Sequence, residues 1–177
     1  MARVLVLSLF PGIGLLDMAF EEEGFCVVRG PDLLWGGDVR RFHPPAGKFD
    51  GVIGGPPCQA FSALKHLVWA HGYDVPPNLI PEFERVVDEA RPEWFVMENV
   101  AAAPLPSVAS YIVKSVCLNP RCIGATQDRT RRLSFVTADG RLPDKRRDGF
   151  EEKFFRDVAW PIVAAHDAFR DGPPGER

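Results

Sequence analysis

Residues 3–28 read RVLVLSLFPGIGLLDMAFEEEGFCVV, and this stretch decides the fold class. Its first part, residues 3–10, is almost continuously apolar, which is typical of a strand buried on both faces of a parallel sheet. A glycine-containing turn follows at residues 11–14, and the pattern over residues 15–23 then predicts a helix that Gly24 ends. Residues 25–28 form a second short apolar run. The order strand, glycine turn, helix, strand predicts a β-α-β unit.

The rest of the chain continues this alternation. Apolar runs predict strands at residues 49–54, 94–97 and 133–136, and apolar residues at helical spacing predict helices at 79–90 and 108–118. A further helix is predicted at 154–169. Alternating strands and helices favour an α/β fold, with a mostly parallel central sheet and helices on both faces. A chain of 177 residues fits one domain, which we place at residues 1–170, with a frayed tail at 171–177.

Composition excludes several classes of protein. Hydrophobic residues make up 46% and charged residues 25%, as expected for a globular domain and not for a disordered chain. The formal net charge is −3, so any binding of nucleic acid has to use a local basic patch. No apolar stretch approaches the length of a membrane span, and the start of the chain lacks a signal-peptide pattern. We therefore expect a cytoplasmic protein of bacterial or phage origin.

The four cysteines do not predict a metal site. No two of them form a Cys-x-x-Cys pair, so we expect free thiols and no zinc site; the residues are Cys26, Cys58, Cys117 and Cys122.

The unusual segments of the sequence follow predicted strands. They occupy residues 11–14, 54–62 and 98–100. The carboxyl ends of parallel strands meet at one edge of a sheet, where ligands of α/β proteins collect. We therefore expect the three segments to form one site.

The first segment is a candidate ligand turn. The glycines in Phe10-Pro11-Gly12-Ile13-Gly14 allow a ligand to approach the backbone, and the helix that follows offers free N–H groups. An ordinary structural turn has the same pattern. The missing third glycine argues against a dinucleotide site, whereas a carboxylate-bearing ligand such as S-adenosylmethionine suits the turn.

The second segment is the most specific. It reads Gly54-Gly55-Pro56-Pro57-Cys58-Gln59-Ala60-Phe61-Ser62 and holds a cysteine at a strand end behind two prolines. A rigidly aimed, accessible thiol is what a cysteine nucleophile needs. From these residues alone, a proline-rich turn with an incidental cysteine explains the pattern equally well.

Acidic and basic candidates complete the site. Glu98 follows another strand, where an enclosed carboxyl can keep and donate a proton, or can simply cap the next segment. Arg129, Arg131 and Arg132 lie close together in the sequence. Alternating arginines on an extended segment can grip a base oxygen or phosphates, or can form a solvated charged turn.

Taken together, these segments resemble the cytosine-C5 methyltransferases that act on nucleic acid. Residues 8–14 are similar to the family's first cofactor motif, and residues 54–62 to its Pro-Cys-Gln catalytic motif. Glu98-Asn99-Val100 matches the Glu-Asn-Val motif, and Gln127-x-Arg129-x-Arg131 matches the Gln-x-Arg-x-Arg motif. The resemblance covers residues 3–138 and implies a Rossmann-like, S-adenosylmethionine-dependent methyltransferase fold.

The resemblance also implies roles for individual residues. Cys58 would attack C6 of a flipped cytosine, Glu98 would hold or protonate N3, and an arginine of the Arg129/Arg131 pair would polarise O2. S-adenosylmethionine would bind against Phe10, Pro11, Gly12, Ile13, Gly14, Asp32, Asp38 and Pro56, with Phe10 on the adenine, Asp32 near the ribose and Asp38 near the adenine amino group. The residues assigned to substrate binding are Pro57, Gln59, Ser62, Asn99 and Gln127.

The sequence departs from the family pattern at several places. Ser8 stands where the family usually has Asp, and Leu15 replaces the second glycine of a pair. The family's target-recognition domain, expected after the arginine motif, is not recognisable, and only a C-terminal helix around residues 158–169 is available to match its last cofactor motif. We therefore expect either that a second subunit or self-association supplies target recognition, or that the protein methylates with little sequence preference.

Three functions remain open from the sequence. The first is an active DNA cytosine-C5 methyltransferase, favoured by the presence of Cys58, Glu98, Arg129 and Arg131. The second is an inactive or regulatory protein of the same fold that binds DNA or a partner, favoured by Ser8 and Leu15. The third is methylation of cytosine in RNA or in a free nucleotide.

Overall fold

The computed structural model describes residues 4–61, 69–72, 76–119, 121, 126 and 128–136. Within them lie, in chain order, strand β1 (Leu5–Leu9), helix α1 (Leu15–Glu22), strand β2 (Cys26–Arg29), two 3₁₀ turns (Leu33–Trp35 and Val39–Arg41), strand β3 (Gly51–Gly54), helix α2 (Ile80–Ala90), and strands β4 (Trp94–Val100), β5 (Lys114–Leu118) and β6 (Arg131–Val136). Ser62, Gln127, the helix predicted at 154–169 and the tail at 171–177 lie outside the described residues. No helix within the described ranges is long and apolar enough to cross a membrane.

The six described strands form one mixed sheet in the order β2-β1-β3-β4-β6-β5. The strands β2, β1, β3 and β4 are mutually parallel, whereas β6 runs antiparallel to both β4 and β5. The parallel half confirms the β-α-β unit predicted from residues 3–28. It also brings the carboxyl ends of β1, β2, β3 and β4 to one edge, as the convergence of the unusual segments required.

One helix covers each face of the sheet. Phe20 of α1 packs with Val6, Ile53, Val96 and Leu133 on one side. Helix α2 buries its apolar stripe, including Phe83, against Leu7, Val52 and Phe95 on the other side. Alternate residues of the same strands therefore face opposite helices, as the two-residue period of a strand requires. This arrangement confirms the predicted α/β fold with helices on both faces.

The helix predicted at residues 108–118 is wrong. Residues 108–113 form no helix, and Lys114–Leu118 is strand β5, paired with β6. The segment is rich in β-branched and aromatic residues, such as Val108, Tyr111 and Val113, which fit a pleated strand better than a helix. Alternating exposure along β5 shows the two-residue period that the helical interpretation overlooked.

Strand β4 is longer than predicted. It runs to Val100, so Glu98 and Asn99 lie inside the strand near its end and not after it. Their side chains consequently point to opposite faces, and the two residues serve different purposes in the site.

Candidate active site

The glycine turn after β1 has a left-handed backbone at three positions. Phe10 has a φ of 55°, Gly12 of 54° and Gly14 of 84°. Glycine adopts this conformation freely, but a phenylalanine there is strained, and such strain collects at functional sites. The amide N–H of Gly14 donates to the carbonyl of Pro11 at 2.8 Å and closes the turn. Pro11 is buried in this turn, whereas the side chain of Ile13 is exposed.

The loop after β2 holds the glycine turn from the side. A carboxylate oxygen of Asp32 accepts from the amide N–H of Gly12 at 2.9 Å, and the indole N–H of Trp35 donates to the Gly12 carbonyl at 2.9 Å. The other Asp32 oxygen accepts from the amide of Leu34 and caps the first 3₁₀ turn. Asp32, which was predicted to lie near the cofactor ribose, is thus hydrogen-bonded directly to the predicted cofactor turn.

A cleft of about 410 Å³ opens between these two loops and the Pro-Cys segment. Its volume lies in the range of small-molecule sites. Predicted cofactor residues Phe10, Asp32 and Asp38 line it, and so do Pro57 and Gln59, which were predicted to bind substrate. Sequence reasoning missed the remaining wall, which consists of Pro31, Leu33, Gly37, Val39, Arg40, Pro76, Pro77 and Leu79.

Asp38 sits on a turn that α2 fastens. Its carboxylate caps the second 3₁₀ turn by accepting from the amide of Arg40, and its side chain pairs with that guanidinium at 2.8 Å. This hydrogen bond lowers the pKa of Asp38 and keeps the carboxylate charged. From α2, Arg85 Nη2 donates to the carbonyls of Val39 at 2.8 Å and Phe42 at 3.1 Å. Arg85 therefore fixes the turn that carries Asp38.

The Pro-Cys segment is fixed by Asn99. The side-chain amide of Asn99 donates to the carbonyl of Pro56 at 3.0 Å, and Asn99 is only 2% exposed. Pro56 is itself buried, and Cys58, two residues further on, is partly exposed. Asn99 therefore supports the cysteine-bearing segment through its backbone, and the substrate contact predicted for Asn99 stays a prediction.

Glu98 faces the cysteine side of the sheet. Its Oε2 atom lies 3.4 Å from the position that a Cβ on Gly55 would take, so the carboxyl packs directly over the start of the Pro-Cys segment. Its Oε1 atom is 2.9 Å from Nε of Arg131, which stands on the neighbouring strand β6. Arg132, next along β6, points to the other face and donates to the carbonyl of Ala103 at 2.6 Å. Arg129 lies before the start of β6, so a shared face for Arg129 and Arg131 stays a prediction.

Burial controls the charges of this group. Removal from water raises the pKa of Glu98, although the guanidinium groups of Arg131 and Arg129 oppose the rise. Burial likewise lowers the pKa of Arg131, against the opposing effect of Glu98 and Cys58. A carboxyl with a raised pKa is able to hold a proton at the edge of the ring of a bound base.

Two of the four predicted catalytic residues, Glu98 and Arg131, are in direct contact. The charges of Arg129 and Cys58 reach the same pair. No group of three or more potential metal ligands occurs in the part of the chain that the structure describes. The arrangement offers a thiol, a carboxyl whose pKa is raised by burial, and two guanidinium groups at one sheet edge, beside the cleft.

A comparison with protein families agrees with this chemistry. The family model described as C-5 cytosine-specific DNA methylase matches residues 36–146, which is more than half of the chain. The matched region contains Cys58, Glu98, Arg129 and Arg131.

Curated relatives are similar over about half of the chain. The Type II methyltransferase M.NgoPII of Neisseria gonorrhoeae is 31% identical over 117 residues, which cover 54% of this chain and 33% of that protein. The Type II methyltransferase M1.HphI of Haemophilus parahaemolyticus is 50% identical over 106 residues, covering 52% of this chain and 28% of that protein. The chain therefore spans about a third or less of the length of these relatives.

Solved structures share the fold. The S. pombe Dnmt2 methyltransferase superimposes with a TM-score of 0.57 at 16% identity, covering 85% of this chain and 54% of that one.

Proposed function

Since this chain belongs to the C-5 cytosine-specific DNA methylase family, we propose that it transfers a methyl group from S-adenosylmethionine to C5 of cytosine in DNA. The observation that carries the proposal is the packing of the Glu98–Arg131 pair against the segment that bears Cys58: Oε2 of Glu98 lies 3.4 Å from the position that a Cβ on Gly55 would take, three residues before the cysteine. Methylation at C5 needs both a nucleophile for C6 and a proton donor for the ring, and this edge provides the two together.

The cleft fits the cofactor. Its largely apolar wall includes the ring of Phe10, which suits a purine, and the carboxylates of Asp32 and Asp38 suit ribose hydroxyls and an amino group. Asp38 is held charged by Arg40, so it is ready to accept hydrogen bonds. When bound, S-adenosylmethionine supplies an electrophilic methyl group.

The first chemical step belongs to Cys58. Its thiolate forms a bond to C6 of cytosine, and the electron pair of the C5–C6 double bond moves into the ring. Negative charge then develops along N3 and O2, and a site stabilises such a step by placing donors where the charge appears. Glu98 donates its proton to N3, and the Arg129/Arg131 pair supplies a donor for O2.

The adduct makes C5 reactive. With sulfur on C6, the ring is an enamine whose C5 carbon would take up the methyl group, while the bond from that methyl to the sulfonium sulfur would break and leave S-adenosylhomocysteine. The C5 proton then leaves to a base, the electron pair restores the C5–C6 double bond, and the bond from sulfur to C6 breaks. Cys58 leaves as thiolate and Glu98 recovers its proton, so the protein is unchanged after the cycle.

The substrate base has to leave the DNA stack to meet Cys58. Arginine side chains position the strand through phosphate contacts, but these contacts do not read sequence. We propose that a second subunit or a second copy of the chain contributes the surface that reads the target. Two measurements test this: sedimentation of the chain with and without duplex DNA gives its oligomeric state, and bisulfite sequencing of the DNA product gives the methylated positions. A monomer that alone methylates one defined sequence contradicts the proposal.

The proposed reaction is tested with labelled S-adenosylmethionine on duplex DNA, RNA and free cytosine nucleotide in parallel. We expect label in DNA only, and Cys58→Ser to abolish transfer while S-adenosylhomocysteine still binds. DNA containing 5-fluorocytosine should trap a covalent adduct on the wild-type protein, because fluorine on C5 cannot leave as the proton does. Transfer only to RNA or nucleotide, or equal transfer by the Cys58→Ser variant, would refute the proposal.

A further inference from the structure

A second buried carboxylate lies near the cleft and takes no part in the chemistry above. Asp17, in the first turn of α1, is fully buried. Its Oδ1 accepts from the hydroxyl of Ser8 on β1, and its Oδ2 accepts from Nε of Arg29 on β2 at 2.9 Å. One side chain therefore joins β1, α1 and β2.

These contacts surround the glycine turn. The guanidinium of Arg29 lies 3.2 Å from the position that a Cβ on Gly14 would take, so it packs directly against the turn. Ser8 stands two residues before Phe10, and its carbonyl accepts from the amide of Gly30 at 2.8 Å. The Asp17 carboxylate thus ties together the chain before the turn and the chain entering the Asp32 loop.

A buried carboxylate is stable only when it is paired and hydrogen-bonded. Asp17 meets this condition through one hydroxyl and one guanidinium, and that guanidinium also lies 3.9 Å from the carboxylate of Glu21 on α1. Replacement by asparagine keeps the size but turns an amide group toward the Arg29 donor or the Ser8 hydroxyl. The Arg29 side chain is then free to leave Gly14.

We propose that Asp17 is the positioning residue of the cofactor turn: through Ser8 and Arg29 it holds the Gly12–Gly14 backbone in the shape that binds S-adenosylmethionine. The inference rests on the proposed function for the identity of the ligand. It assigns Asp17 no contact with substrate or cofactor, and it predicts an effect on cofactor affinity that exceeds any effect on DNA.

The probe is S-adenosylhomocysteine, titrated calorimetrically into the wild-type chain and into Asp17→Asn. Loss of a charge-assisted hydrogen bond should weaken binding by about tenfold. The matched control is Asp50→Asn, because Asp50 also holds β1, through the amide of Leu5 at 2.6 Å, but at the opposite end of the strand. Both variants should have a lower melting temperature than the wild type. Only Asp17→Asn should bind S-adenosylhomocysteine more weakly, and only this variant should have a higher KM for S-adenosylmethionine, with an unchanged KM for DNA.

A reciprocal exchange supplies the rescue. In Ser8→Asp combined with Asp17→Ser, the pair again holds one carboxylate and one hydroxyl, within reach of the partly exposed Arg29. We expect this double variant to bind S-adenosylhomocysteine more tightly than Ser8→Asp alone, where two carboxylates face each other and repel. If Asp17→Asn does not fold, Arg29→Gln replaces it, since that side chain is 56% exposed, and the same weakening is expected.

The outcomes separate the two proposals. If Asp17→Asn, or its substitute Arg29→Gln, binds S-adenosylhomocysteine as tightly as the wild type does, this inference alone is overturned. Equal weakening by Asp17→Asn and Asp50→Asn also overturns it, because the role is then only structural. A wild-type chain that binds no S-adenosylhomocysteine overturns the proposed function and this inference with it.

Discussion

Removing the side chain of Asn99 should impair catalysis far more than it impairs folding. The amide donates to the carbonyl of Pro56 at 3.0 Å from a position that is 2% exposed, so water cannot easily replace it. In Asn99→Ala the Pro56 carbonyl loses its partner, and Cys58 lies only two residues further along the same segment.

The size of the effect follows from this geometry. A buried acceptor left without a partner costs about 1–3 kcal/mol, which in a chain of this length lowers the melting temperature by roughly 2–4 °C per kcal/mol. A displacement of the segment by about 1 Å would move the Cys58 sulfur out of line with C6 and reduce kcat by about 100-fold. The assay is single-turnover methyl transfer to duplex DNA, run beside thermal unfolding of the same samples.

Tyr111→Phe is the matched control. The Tyr111 hydroxyl donates to the carbonyl of Pro92 at 2.7 Å, so this variant also deprives a proline carbonyl of its side-chain donor. Pro92 precedes β4, whereas Asn99 lies near the end of that strand, and the control therefore acts at the opposite edge of the sheet. We expect a similar loss of stability with unchanged kcat. Equal kcat values for Asn99→Ala and Tyr111→Phe would refute the role assigned to Asn99.

Substitutions at three further residues test the site. Burial raises the pKa of Glu98, so ionisation of this carboxyl costs the folded state free energy. The stability of the wild type should therefore fall relative to that of Glu98→Gln when the pH rises from below about 4 to about 7. Urea unfolding of both proteins at the two pH values checks this, and a stability difference that does not change with pH contradicts it. Methyl transfer by the same variant should fall by about 10²-fold or more. Arg85→Met should weaken S-adenosylhomocysteine binding several-fold, because it releases the turn that carries Asp38. The control is Arg91→Met, at an exposed position at the end of the same helix, and it should bind as the wild type does. Equal affinities of the two variants would exclude the role of Arg85. Phe10→Ala and Phe10→Gly should both bind the ligand more weakly than the wild type. Glycine tolerates the φ of 55°, so Phe10→Gly should be more stable than Phe10→Ala by about 1 kcal/mol. A higher free energy of unfolding for Phe10→Ala in denaturant would count against strain at this turn.

The parts of the fold that could be predicted from the sequence are those fixed by local signals. Continuous apolar character marked β1, the glycine turn marked its exit, and helical spacing marked α2 to within one residue of its start. The convergence of the Gly turn, the Pro-Cys segment and Glu98 followed from parallel strand direction alone, and the sheet confirms it.

The helix predicted at residues 108–118 failed for a physical reason. Short apolar runs are compatible with either period, and the neighbours of a strand decide between them. Here Val116 pairs with Leu133, and β5 becomes a strand because β6 is available beside it. That pairing lies between residues distant in the sequence, and the local signal, a run of β-branched residues with a two-residue period, is too short to decide between strand and helix.

The supporting contacts of the site were missed for a similar reason. Arg85 meets the carbonyls of Val39 and Phe42 across more than forty residues, and Asp17 meets Arg29 across the β1–β2 crossover. From the sequence, Arg85 shows only its spacing to Glu82 and Glu89, which is typical of surface ion pairs on a helix. Its contact with backbone carbonyls depends on the approach of a loop whose path the sequence does not specify.

The edge that carries the candidate site also carries three unfavourable features, although a left-handed backbone occurs at Arg91 after α2 as well. At this edge Phe10 has a left-handed backbone, Glu98 has a pKa raised by burial, and Asp17 buries a full charge. Each feature costs folding free energy, and each has its own partner: Asp32 and Trp35 at the turn, Arg131 at Glu98, and Arg29 at Asp17. A sequence selected for stability alone would have no reason to place a strained phenylalanine and two buried carboxyls along the ends of neighbouring strands. Their concentration at the edge that carries Cys58 is the physical reason to locate binding and chemistry there.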